Sequence, residues 1–229
     1  MTGVVYMSFR QTFRRVPALM AALGLAIGMA FAVPCGLAPA AFAQNAPSAL
    51  VEGFRSAKFG ADEKAVRAAI KADLGLEGKA VAAEDNSIEK TTALIATVDA
   101  LEPGSKAQIA YILGYKSRKL IQVNVVWGAP LDPAASVESL TGTAVLLRSY
   151  FTQQPFAADR HQQDQRLPDG SILFFQGSDG QDRQVSLHLL GVPLPVKEGE
   201  KPKAGFSLRL SYIADPKAPD VFQLKAGSF

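Results

Sequence analysis

The chain is expected to be an α+β protein in which each helix lies on an antiparallel three-stranded meander, in the order α-βββ-α-βββ. Three observations predict this. A capped stretch with helical apolar spacing runs from Asp62 to Gly75, and a second helical stripe follows near 134–151. Segments of strict apolar/polar alternation, bounded by turn residues, follow each helix. A Pro/Gly-rich boundary, Gly128-Ala129-Pro130-Leu131-Asp132-Pro133, divides the two series. The halves are expected over 44–131 and 132–229, as two units or one continuous domain.

Taken in order, Ala46 to Phe59 is predicted as an amphipathic helix with Leu50, Val51 and Phe54 on one side. Gly60-Ala61-Asp62 breaks it. The Asp62 carboxylate can accept free amide hydrogens of the next turn, Val66, Ala69, Ile70 and Leu74 follow on one face, and Gly75 suits a left-handed C-terminal cap. Ala80 to Ser87 is expected as a loop or short edge strand. Thr92–Leu101, Gln108–Tyr115 and Leu120–Trp127 are predicted strands, the last placing Ile121, Val123, Val125 and Trp127 on one face.

After the boundary, a helix over 134–151 buries Val137, Leu140, Ala144, Leu147 and Phe151. Gln153 to Arg166 is so polar that an exposed loop is expected. Ile172–Phe175, then Val185, Leu187 and Leu189, then Phe206, Leu208, Leu210 and Tyr212 supply three more strands. A Pro/Lys/Glu loop spans Val192–Gly205, and the tail from Asp215 is expected to be irregular.

Residues 1–43 read as a secretory signal peptide. Arg10, Arg14 and Arg15 precede an uncharged apolar run from Val16 to Val33, and Ala41 and Ala43 occupy the small-residue positions of a cleavage site before Gln44. Uncleaved, residues 16–33 are just long enough to anchor the chain in an inner membrane. Val33-Pro34 before Cys35 does not fit a lipid-attachment site, and Val16-Pro17 after Arg14-Arg15 does not fit a twin-arginine signal. Cleavage removes the only cysteine, leaving 186 residues with no disulfide, thiolate or Cys-based metal site. The expected location is the periplasm or outside the cell.

The 229 residues are 48% hydrophobic and 20% charged, with mean hydropathy +0.10, as for an ordinary globular protein. The formal charge is +3, but the three leader arginines supply all of it, leaving 21 basic against 21 acidic residues. A nucleic-acid reader needs a net positive face to offset phosphates, so that class is not expected.

Phe54-Arg55-Ser56-Ala57-Lys58-Phe59-Gly60, followed by the capped helix with Val66, resembles the opening of small envelope proteins of the SmpA/OmlA (BamE) type. The likeness spans 54–127, and the repeated element order resembles the secreted β-lactamase-inhibitor proteins. The chain differs from the first type in its greater length and its lack of a fitting lipid-bearing Cys. The resemblance implies a non-catalytic role, binding another envelope or secreted protein through a sheet face.

The mature chain contains no nucleophile elbow, P-loop, dinucleotide fingerprint, zincin motif or acidic calcium loop, and no cofactor or metal is expected. His161 lies between Asp159 and Asp164, a spacing that could offer one imidazole and two carboxylates to a metal, but it lacks a second imidazole. His188 points opposite to Leu187 and Leu189. Arg209 points opposite to Leu208 and Leu210. If their strands are neighbours, the two share a polar patch suited to an anion or carboxylate. The ordinary reading of such a patch is the wet face of a half-buried sheet. Lys116, Arg118 and Lys119 form a basic hairpin tip, able to touch anionic lipid weakly or simply to keep the hairpin soluble. Tyr111, Tyr115 and Trp127 are assigned to core and core rim. No buried polar cluster is evident, so a protein partner is expected over a small ligand. The expectation is therefore an exported binding or adaptor protein. Its alternatives are an anchored envelope protein and a periplasmic hydrolase using His188 or His161.

Overall fold

The computed structural model describes residues 48–194 and 203–224, together with Gly227. The cleavage residues Ala41, Ala43 and Gln44 and the apolar run 16–33 lie outside them, as does part of the loop expected at 192–205.

The fold is mostly β, which overturns the expected pair of three-stranded meanders. A two-residue hairpin, β1 (Gly53–Phe54) and β2 (Ala57–Lys58), precedes α1 (Glu63–Leu74). Four strands follow: β3 (Val81–Asp85), β4 (Thr92–Val98), β5 (Ala107–Leu113) and β6 (Leu120–Gly128). After α2 (Val137–Thr152) come β7 (His161–Arg166), β8 (Ile172–Ser178), β9 (Gln184–Leu194) and β10 (Lys203–Ile213). Strands β3 to β10 form one eight-stranded antiparallel sheet in the order β3-β4-β5-β6-β10-β9-β8-β7. The last strand lies against the middle one, from Ser207↔Gly128 to Ile213↔Gln122, so the strands of the two expected halves share one hydrogen-bonded sheet. These are the only two α-helices among the described residues.

Two local readings are corrected, and a third is settled between its alternatives. Residues 48–59 are not helical, because Gly53 (φ 138) and Arg55 (φ 52) turn the chain back on itself. Asp73 holds that turn, accepting from Ser56 N at 2.9 Å and Ser56 Oγ at 2.7 Å. The buried residues Val51, Phe54 and Ala57 are three apart, a spacing that imitates a helical stripe. The polar run 161–166 is a strand at the sheet edge. Its residues are almost all exposed, so no apolar alternation marks it, and Asp164 (φ 55) drops out of the ladder while the register on either side is kept. Val81–Asp85 takes the edge-strand alternative at the other end of the sheet.

The helix signals fit the observed elements. Asp62 accepts from Ala65 N at 3.0 Å, Gly75 sits at φ 69, and Val66, Ala69 and Ile70 are buried. In α2, Ser136 caps the start, and Leu140, Ala144 and Phe151 are buried. Both helices join Val123, Val125, Trp127, Leu187 and Leu208 in one apolar cluster on one face of the sheet. Each fully buried Leu, Ile or Val there contributes roughly 1.5–3 kcal/mol. Trp127 is core, with its indole N–H donating to Leu101 O at 3.3 Å.

The tail after β10 crosses the ends of the sheet in the first half of the chain. Ala214 N donates to Ile121 O, Tyr115 N to Asp220 O, and Phe222 N to Glu89 O. The Asp220 carboxylate accepts from Lys116 N at 3.0 Å and Ser117 N at 2.8 Å, closing the β5–β6 turn. Asp220→Ala is expected to lower stability by about 1–2 kcal/mol, the worth of charge-assisted bonds at an exposed turn. It should also speed limited proteolysis between 215 and 222, and unchanged cleavage there would show that the carboxylate does not hold the tail.

Candidate binding face

Because strand residues alternate, every apolar side chain sent to the helices has neighbours sent the other way. On that second face the register lays side chains in rows. Gln162, Gln176, Ser186, Ser211 and Asn124 form one row across β7, β8, β9, β10 and β6. Leu173, His188, Arg209 and Val126 form the next. His188 and Arg209 are direct cross-strand partners, so the sequence-predicted pair is brought together. Ser207 and Ser211 flank Arg209 on its own strand, and Gln122 Nε2 donates to Asn124 Oδ1 at 2.9 Å. On β4 and β5 the same face is apolar, with Ala93, Ile95 and Ile112 buried.

The absence of a buried polar cluster, expected from the sequence, is corrected here. Ser186, Ser207, Ser211 and Gln184 are all buried, while His188 and Arg209 are half-buried. Gln176 Oε1 is buried without a hydrogen-bond partner among the described residues. The polar positions were readable from alternation, but their assembly needed the β6–β10 pairing, which joins segments about eighty residues apart.

Burial pushes the His188 imidazole below its ordinary value; the Arg209 charge acts in the same sense and Asp169 opposes them. Burial also lowers Arg209, from a value high enough that it stays charged at neutral pH. Asp169 is held below the usual carboxylate range by the Ser171 hydroxyl at 2.6 Å and the Ser171 N–H at 2.9 Å. It therefore bonds to Ser171 rather than to His188. Among the described residues His188 makes no hydrogen bond to a serine or carboxylate, and Arg209 forms no ion pair.

The other candidates lie apart. His161 is on the helix side, stacked on Phe175 at 6.2 Å between ring centroids, with Nδ1 3.0 Å from Ala157 O. Asp164 pairs with Arg148 at 2.5 Å, and no group of three or more metal-ligating side chains occurs among the described residues. At the basic hairpin, Lys119 Nζ is 3.7 Å from Asp62, and Arg118 Nη1 donates to Thr92 Oγ1 at 3.2 Å. Lys116 and Ser117 offer their backbone N–H groups to Asp220. These contacts give the tip a local structural task. Tyr115 lies at the rim, edge-on to Phe222. A recess of about 210 Å³ beside α1 is lined by Arg67, Lys71, Glu77 and Val81. It is smaller than ordinary ligand pockets, and its cations already pair with Glu63 and Glu77. Neither helix is long and apolar enough to cross a membrane.

Compared with models of protein families, with curated proteins and with solved structures, the chain finds no match.

Proposed function

We propose that the chain is an exported, non-catalytic binding or adaptor protein that engages another envelope or secreted protein through the polar half of its sheet. The observation that carries this reading is the field of hydroxyl and amide side chains around Arg209, spread over β6, β10, β9 and β8 on the face turned away from both helices. A broad, nearly neutral sheet face offers many hydrogen-bonding groups in fixed register, which suits a protein surface better than a small molecule. The leader residues 1–43 support export.

The test is site-specific photo-cross-linking in living cells, with the reactive residue at Asn124 on the polar face or at Ser149 on the exposed side of α2. One dominant envelope protein captured from Asn124, by a chain whose N-terminus is Gln44, is the expected result. Capture only from Ser149 would overturn the choice of face. A chain that starts before Val16 and fractionates with membranes would replace export with anchoring.

A further inference from the structure

The polar face has one chemical feature that narrows what it can hold. Arg209 is the one cation in the two rows Gln162-Gln176-Ser186-Ser211-Asn124 and Leu173-His188-Arg209-Val126. It sits half-buried between Ser207 and Ser211 and opposite His188. A guanidinium withdrawn from water needs a counter-charge or strong acceptors. Among the described residues none is within ion-pairing reach. Asp169, the carboxylate near His188, is engaged with Ser171.

The geometry points to Arg209 as the anchor for a carboxylate on an acidic segment of the partner protein, with Ser207 and Ser211 as flanking hydrogen-bond donors. This inference rests on the proposed binding face and specifies its chemistry. A planar guanidinium presents two parallel N–H groups to the two oxygens of a carboxylate. Phosphate fits less well: a dianion is ordinarily held by several cations or a nest of backbone N–H groups, and here Asp169 adds a negative charge at the rim. The spread of these polar positions over four strands favours a segment of protein over a free small acid.

The chain's two histidines provide the readout. His188 lies across from Arg209, while His161 is on the other face and serves as internal control. The purified protein is titrated at fixed ionic strength with N-acetyl-triglutamate amide, its triglutamine counterpart, acetate, and inorganic phosphate, while the imidazole resonances are followed by NMR. The triglutamate peptide should shift His188 saturably, leave His161 in place and bind more tightly than acetate, with Kd on the order of 1 mM for so short a probe. Arg209→Met should weaken it by about tenfold or more, and Arg209→Lys by less, because the charge stays while the fork is lost. Ser211→Glu, which sets a carboxylate beside Arg209 on the same strand, should also abolish binding, so the outcome does not depend on one variant folding.

Equal shifts from the triglutamine peptide, or unchanged binding by Arg209→Met, would overturn the carboxylate anchor. Tighter binding of phosphate than of the peptide would overturn the choice of anion. Acetate binding as tightly as the peptide would overturn the protein segment as its source. Loss of peptide binding with Asn124 cross-linking intact would remove the carboxylate but keep the face; loss of both would remove the face.

Discussion

Phe175→Ala should lower the unfolding free energy by about 4 kcal/mol, within the usual range for emptying a buried aromatic site. Phe175 is fully buried on β8, at the meeting point of α2, β7 and the segment between them. Phe151 of α2 stacks on it with centroids 5.4 Å apart and planes 17° apart. Phe156 approaches at 5.5 Å and His161 of β7 at 6.2 Å. The β8–β9 register skips at Phe174, so both phenylalanines join the helix-side core and Gln176 returns to the polar face. Removing one ring leaves a void bordered by three others, each fixed to a different element. Collapse is therefore restricted, and both the transfer and the cavity terms apply in full. Denaturant unfolding should show a lower midpoint with unchanged slope, and the His161 resonance should move as its stacking partner disappears. A loss below about 1.5 kcal/mol would mean that the site closes over the gap.

How much of this was legible depends on whether the controlling contact was local. The cap at Asp62 and the stripes of α1 and α2 involve residues within a few turns, and the sequence spells them out. The Ser136 cap is equally local, but the helix read from residue 134 starts ahead of it and passes it over. Alternation in β5, β9 and β10 likewise gives the two faces correctly, placing His188 and Arg209 on the polar one. In β6 it does so for Val123, Val125 and Trp127, but a register shift puts Leu120 rather than Ile121 in the core. Two signals misled. Val51, Phe54 and Ala57 are spaced as in a helix because a tight hairpin also buries every third residue, and Gly53 was the contrary sign. The run His161–Arg166 lacked any strand pattern because an edge strand with both faces wet has no need of one. The single sheet was illegible for another reason. Nothing in β6 or β10 alone says that they pair, since each looks the same as an edge or as an inner strand. The basic turn at Lys116–Lys119 stood out as a charge run. In the fold, Lys119 and Arg118 are occupied by Asp62 and Thr92, contacts that at an exposed tip contribute about 0–1 kcal/mol each.

Asp179 was visible only as part of a turn signal, Ser178-Asp179-Gly180-Gln181, yet it is the most densely bonded carboxylate among the described residues. Its side chain is fully buried. Oδ2 accepts from Val51 N at 3.0 Å and Arg183 Nε at 2.7 Å, and Oδ1 from Gln181 N at 2.8 Å and Arg183 N at 3.0 Å. One carboxylate thus closes the β8–β9 turn and ties down the segment that leads in from residue 48. Asp179→Ala would leave those N–H groups and the largely buried Arg183 without their acceptor, so a loss of about 3–5 kcal/mol is expected. Asp179→Asn keeps the shape but turns an N–H toward other N–H groups, and should cost somewhat less.

The pH dependence separates charge from shape. Burial alone would raise the Asp179 pKa, but the bonds from Val51, Arg183 and Gln181 outweigh it and hold the group below its ordinary 3.8. The carboxylate form is therefore favoured in the folded state, and its contribution is fully present above that ordinary value. It falls away as pH drops through the lower, folded value. The stability gap between the native sequence and Asp179→Asn should be flat near neutrality and shrink below about pH 4. A gap that held constant into stronger acid would mean that shape, rather than charge, makes the clamp.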